Sequence, residues 1–117
     1  MQIKTIPFQL QFRKPFVLAS GIRTHTSVVY IKVVQNDITG WGEAALPPYV
    51  KETQESVIQF IQQLKIPEIT SEQELKMFLE NLYKSSGNYF AKAAINGAFL
   101  DWWTIKNKQS LSEYFGI

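Results

Sequence analysis

The 117-residue chain contains no cysteine and a single histidine. Without thiols it has no disulfide, no thiolate nucleophile and no cysteine-based zinc site, a composition that suits a reducing cytoplasm. One histidine among scattered glutamates gives no metal-ligand spacing. No apolar run approaches the roughly 20 residues needed to cross a bilayer. The opening MQIKTIPFQLQF alternates polar with apolar residues and does not read as a secretory leader. The 12 Lys and Arg residues leave a net charge of only +2, and no basic run interleaves with aromatics, which argues against nucleic acid as a partner. With 45% hydrophobic and 19% charged residues, the chain has an ordinary globular composition. It is too short for a (β/α)₈ barrel of roughly 200 residues or more. The expectation is therefore one cytoplasmic domain over residues 1–117, with no membrane segment.

The first 46 residues read as β-structure. Ile6, Phe8, Leu10 and Phe12 share one face at period two, opposite Gln9 and Gln11. Pro7 lacks a backbone donor, so this strand is expected to lie at a sheet edge or to carry a bulge. SVVYIKVV (27–34) is apolar on nearly both faces, as a central strand is, and the short QND segment predicts a tight reversal into ITGWGEAAL. Between the first two strands, RKPFVLASGIRTHT reads as a loop of about fourteen residues, longer than a hairpin requires.

From Thr53 onwards the pattern is helical. TQESVIQFIQQL places Val57, Phe60, Ile61 and Leu64 on one stripe, and Pro67 ends it. SEQELKMFLENLYK repeats the stripe behind a capping box, Ser71-x-x-Glu74. A third helix, opened by Asn88, carries the small residues Ala91, Ala94, Gly97 and Ala98 for close approach, with Ile95, Phe99, Trp102 and Ile105 as bulk. Trp102 and Trp103 project about 100° apart, so one is expected in the core and one at an edge. Ser110-x-x-Glu113 caps a last turn that Gly116 stops. Strands followed by helices make an α+β domain, a three-stranded antiparallel meander and then a three-helix bundle.

Four pieces of chemistry suggest themselves. GWGEAA matches a dinucleotide fingerprint, but that motif needs a strand running straight into a helix, and Pro47-Pro48 intervene. The glycines instead admit a neighbouring backbone or ligand. Glu43 has no second carboxylate nearby in sequence and reads as a strand-end carboxylate rather than a catalytic acid. A Ser/His/Asp triad from Ser20 or Ser27, His25 and Asp101 lacks a nucleophile-elbow context, and Asp101 is expected to serve structure. What remains is the cluster Arg23, Thr24, His25 and Thr26, a bidentate cation beside several donors, suited to gripping a carboxylate or amide.

The order of KPF, a polar loop, an apolar strand, GWGEA, a Pro-Tyr segment and AKAAINGAFLDWW resembles the N-terminal capping domain of the enolase superfamily. The helix motif A-K-x-A-[IV]-x-x-A-x-x-D resembles that of the muconate-lactonizing-enzyme branch, and within that branch RTHT makes the chain similar to dipeptide epimerases. The resemblance covers nearly the whole chain. It implies a cap that carries no catalytic group and no metal ligand. A C-terminal (β/α)₇β barrel, absent from this chain, would supply lysine bases and the carboxylates for Mg²⁺. It also implies that the loops around residues 18–26 and 45–51 close over a small-molecule substrate. Arg23, Thr24 and His25 would then grip its distal part, Ile22, Leu46 and Tyr49 would line its apolar side, and Glu43 would sit at the domain junction. A cap without its barrel exposes an apolar face, so a homo-oligomer is expected. The alternatives are the cap of a muconate cycloisomerase or o-succinylbenzoate synthase, or a stand-alone binding domain.

Overall fold

The structure is a computed structural model that describes residues 1–19 and 21–117, with Phe16 described by its backbone only. Three strands form one antiparallel sheet in the order β1 (Gln2–Leu18), β2 (Gly21–Gln35), β3 (Ile38–Leu46). Four helices follow, α1 (Gln54–Gln63), α2 (Glu72–Leu82), α3 (Tyr89–Lys106) and the short α4 (Leu111–Phe115). This is the expected α+β order. Pro7 lies on the edge strand, paired with Val29. Asn36 and Asp37, at φ 54° and 62°, make the two-residue reversal between β2 and β3, a conformation that suits the right-handed twist of the strands it joins.

The sheet has one covered and one open face. Val29, Ile31, Val33 and Gln35 of β2 alternate onto the covered face and are buried there with Ala44 and Leu46 of β3. Against them α3 lays Ala91, Ala94, Ile95, Ala98, Phe99 and Trp102. The glycines of GWGEAA explain how α3 comes so close. A Cβ on Gly42 would overlap the carbonyl oxygen of Ala94, and one on Gly40 would stand 2.5 Å from the amide nitrogen of Trp102. Gly97 meets nothing within 4 Å, so the close approach comes from the strand's glycines and not from that of the helix. Ile6, Phe8 and Leu10 fall on the open face, with the Phe8 ring centroid 6.4 Å from that of Tyr30.

Three further expectations are corrected. The polar loop between the first strands is itself β-structure: β1 and β2 stay paired to Leu18↔Gly21. Their register shifts between Gln11↔His25 and Phe16↔Arg23, so residues 12–15 bulge opposite Thr24. Pro15, which has no N–H to donate, lies in that bulge, and Gly21 supplies the φ of +141° that closes the tip. Second, both tryptophans are buried: Trp102 donates its indole N–H to the Gln35 carbonyl at 3.1 Å, and Lys106 lies 4.9 Å from the Trp103 ring centroid. Ile105, expected as bulk, is the exposed member of that turn. Third, the second helix has half a capping box. Ser71 Oγ accepts from Glu74 N at 3.1 Å, but the Glu74 carboxylate turns to Thr70 instead.

Candidate functional site

β3 pairs with β2 only as far as Ser27↔Leu46. Beyond that point β2 has no third strand, and the β1–β2 hairpin projects alone, giving the molecule a long axis of 48 Å against 29 and 26 Å. The chain leaving β3 turns at residues 47–50, closed by Val50 N–H donating to the Pro47 carbonyl at 3.1 Å. Pro48 and Tyr49 occupy the middle of that turn and stand opposite the hairpin tip. Leu18, Gly21, Ile22 and Arg23 from the tip, with Pro48 and Tyr49 from the turn, line a cavity of about 410 Å³. It is open to solvent at both walls, where Ile22 and Tyr49 are largely exposed.

Arg23 is the only charged residue of this lining. Its guanidinium carbon lies 5.5 Å from the centroid of the Phe12 ring, a bulge residue that serves as its platform. The Nε and Nη2 atoms of Arg23 are buried and have no hydrogen-bond partner among the described residues. Buried donors are nearly always paired, so two on one guanidinium are unusual. The planar fork matches a carboxylate.

The structure brings together some of the sequence candidates and separates others. Ile22, Arg23 and Tyr49 share the cavity. Leu46 lines a neighbouring hollow of about 390 Å³, which meets the first at Pro48. Thr24 and His25 are exposed and face each other, Oγ1 to Nδ1 at 3.3 Å, but line neither space. Glu43 is exposed on the open sheet face beside Tyr30, away from the cavity. Asp101 accepts from the backbone N–H of Trp41 at 2.8 Å and pins β3 to α3. Ser20 lies outside the described residues, while Ser27 Oγ accepts from Gln9 Nε2 at 2.9 Å. Among the described residues no three His, Asp or Glu side chains converge as metal ligands. The Mg²⁺ implied by the resemblance therefore finds no ligand set in these residues. None of the described helices is long and apolar enough to cross a membrane.

Sequence reading passed over three residues that shape this region. Phe12 was legible only as part of an apolar stripe. Glu52 and Gln54 carry no local signal, because their partners lie far off in sequence. Gln54 Nε2 donates to the carbonyls of Phe8 and Val28, both at 3.0 Å, and Glu52 reaches the amides of Phe90 and Ala91. A separate apolar hollow of about 460 Å³, lined by Ile66, Met77, Phe78 and Leu82 among others, lies beside α2 and contains none of the candidate residues.

Residues 1–116 match the family model described as mandelate racemase / muconate lactonizing enzyme, N-terminal domain. The chain is 32% identical over 102 residues to an L-Ala-D/L-Glu epimerase from Bacteroides thetaiotaomicron, covering 86% of this chain and 27% of that protein. It is 28% identical over 123 residues to an o-succinylbenzoate synthase from Enterococcus faecalis, covering 97% and 33%. A muconate lactonizing enzyme from Mycobacterium smegmatis, solved with muconolactone, superposes with a TM-score of 0.79 at 31% identity, covering 96% of this chain and 32% of that one. The chain thus spans about a third of the length of these relatives. By the extent of that match, the chain belongs to the mandelate racemase / muconate lactonizing enzyme family, as its N-terminal domain.

Proposed function

We propose that residues 1–117 form the substrate-covering domain of a cytoplasmic isomerase of this family, working with a C-terminal barrel on a dipeptide or related carboxylate. The observation that carries this reading is Arg23, which lines the cavity between the hairpin tip and the Pro48–Tyr49 turn and whose buried Nε and Nη2 have no hydrogen-bond partner among the described residues. A carboxylate there would satisfy both donors, while Ile22, Leu18 and Pro48 would cover the apolar part of the ligand. In the family, the barrel supplies the lysine bases and the carboxylates that hold Mg²⁺. This chain's part is to bind one end of the substrate, orient it and exclude water. Thr24 and His25, exposed beside Arg23, are further donors that reach the ligand once the tip closes.

Two relatives name different chemistries at comparable identity, 32% for the epimerase and 28% for the synthase. The cationic tip suits a second carboxylate on the substrate, a feature that L-Ala-L-Glu shares with o-succinylbenzoate, and the dipeptide is proposed on the higher identity to the epimerase. The homo-oligomer belongs to the same proposal and is supported by the open sheet face, where Ile6, Phe8 and Trp41 are 41%, 53% and 48% exposed. A stand-alone binding domain is the competing class.

A domain exchange tests the reading: residues 1–117 replace the corresponding segment of the Bacteroides epimerase. The expected result is measurable epimerisation of L-Ala-L-Glu, with KM raised by Arg23→Met and kcat less affected. An active chimera that is indifferent to Arg23→Met contradicts the assignment of Arg23. A folded chimera with no activity on any dipeptide favours the competing class.

A further inference from the structure

We propose that Glu52 is a positioning residue: its carboxylate clips the chain between β3 and α1 onto the N-terminus of α3, and so fixes the Pro48–Tyr49 wall of the Arg23 cavity. The proposal rests on the reading of that cavity as a substrate site.

The clip starts from a helix that does not cap itself. Asn88 occupies the N-cap position of α3 at φ 55°, ψ 38° and makes no side-chain cap hydrogen bond. The first amides of a helix have no partner within it, and an oxygen from the N-cap side chain ordinarily takes one of them. Here Glu52 supplies both oxygens from outside. Its Oε2 accepts from Phe90 N at 2.9 Å and its Oε1 from Ala91 N at 3.1 Å, across sequence separations of 38 and 39 residues. These are the second and third amides of the helix, and a negative charge at this end also suits the helix dipole.

Glu52 does not act alone. Thr53 caps α1 in a reciprocal box with Ser56. Gln54 ties the same stretch to the sheet by donating to Phe8 and Val28, a registered pair at the base of the free hairpin. The segment is thus held to α3, α1 and the sheet within three consecutive residues. Upstream of that anchor, the hydrogen bond described for residues 47–51 is the turn bond from Val50 to Pro47, and Val50 packs its side chain against the core. The free hairpin provides one wall of the cavity and the turn provides the other, so the gap between them depends on where Val50 and the 52–54 anchor together hold the turn.

A mere helix cap would stabilise α3 without affecting the turn, and that difference is measurable. Amide order parameters of the full 117-residue chain are compared for the wild type, Glu52→Ala, Glu52→Gln and Ser71→Ala. The last removes the cap of α2, which has no link to the turn. In Glu52→Ala, residues 47–51 are expected to fall from the rigid value of about 0.85 to below about 0.6, with β2 and α2 unchanged. Glu52→Gln, which keeps one acceptor, falls between. The affinity for L-Ala-L-Glu as a probe drops about fivefold in Glu52→Ala, the factor corresponding to one lost cap, and recovers partly in Glu52→Gln. A turn that stays rigid in Glu52→Ala, or that loosens equally in Ser71→Ala, overturns the proposal. So does a loosened turn with unchanged probe affinity. If the turn loosens as expected but the wild type shows no probe binding, the substrate reading fails while the clip stands.

Discussion

Gly42 lies so close to Ala94 that a Cβ on it would overlap the Ala94 carbonyl oxygen and stand 3.0 Å from the carbonyl carbon. The obstacle is helix backbone, which cannot rotate away as a side chain would. Gly42→Ala must therefore push α3 off the sheet, and a loss of about 3 kcal/mol is expected, the upper end of the cost of overpacking. Gly97 lies on the facing helix, inside α3, yet a Cβ there would meet nothing within 4 Å. Gly97→Ala is expected to stabilise the fold by about 0.5–1 kcal/mol, through helix propensity alone. Urea denaturation of the two variants checks both the signs and the contrast.

Gln35 is buried and pairs with both backbone groups of Ile69, donating to its carbonyl at 2.7 Å and accepting from its N–H at 3.0 Å. This side-chain pair fixes the connection between α1 and α2 to the end of the central strand. Gln35→Leu keeps the volume but leaves an N–H and a C=O of Ile69 unpaired. The expected cost is about 3 kcal/mol, read as a lower denaturation midpoint with an unchanged m-value.

Asp101 accepts from the Trp41 amide on the outer edge strand. A charged acceptor makes this bond worth about 1.5–3 kcal/mol. Asp101→Ala is expected to lose that much and to speed hydrogen exchange at Trp41 more than at Ile31 in the central strand. Equal acceleration at both amides would mean the carboxylate supports the whole fold and not that edge.

The open face of the sheet predicts self-association. Phe8 is half exposed there, beside Ile6 and Tyr30. Sedimentation velocity at rising concentration should show a concentration-dependent oligomer that Phe8→Ser weakens. A wild-type monomer at high concentration contradicts this part of the account.

Much of the fold was legible because it rests on local rules. The two-residue reversal at Asn36-Asp37 and the serine caps at 71 and 110 each involve residues only a few positions apart. The hairpin was misread as a loop because Gly, Pro and charged residues depress strand propensity, whereas cross-strand pairing with a single bulge is enough to extend both strands. Trp103 is buried because the Lys106 chain and its neighbours cover it, which helix geometry alone does not foretell. At the candidate site, the cluster of Arg23, Thr24, His25 and Thr26 stood out by its chemistry as suited to a carboxylate or amide. Glu52 and Gln54 did not, because their partners are brought to them only by the packed tertiary structure.

A guanidinium with two buried donors that find no partner among the described residues does little for stability, so Arg23→Met should leave the denaturation midpoint unchanged or raise it. In the wild type, the Arg23 Nε–H resonance is followed by NMR as L-Ala-L-Glu is added. The account predicts a saturable downfield shift, accompanied by changes at Ile22 and Tyr49, and the loss of the Ile22 and Tyr49 changes in Arg23→Met. An Nε–H resonance that stays fixed while other residues respond would contradict it.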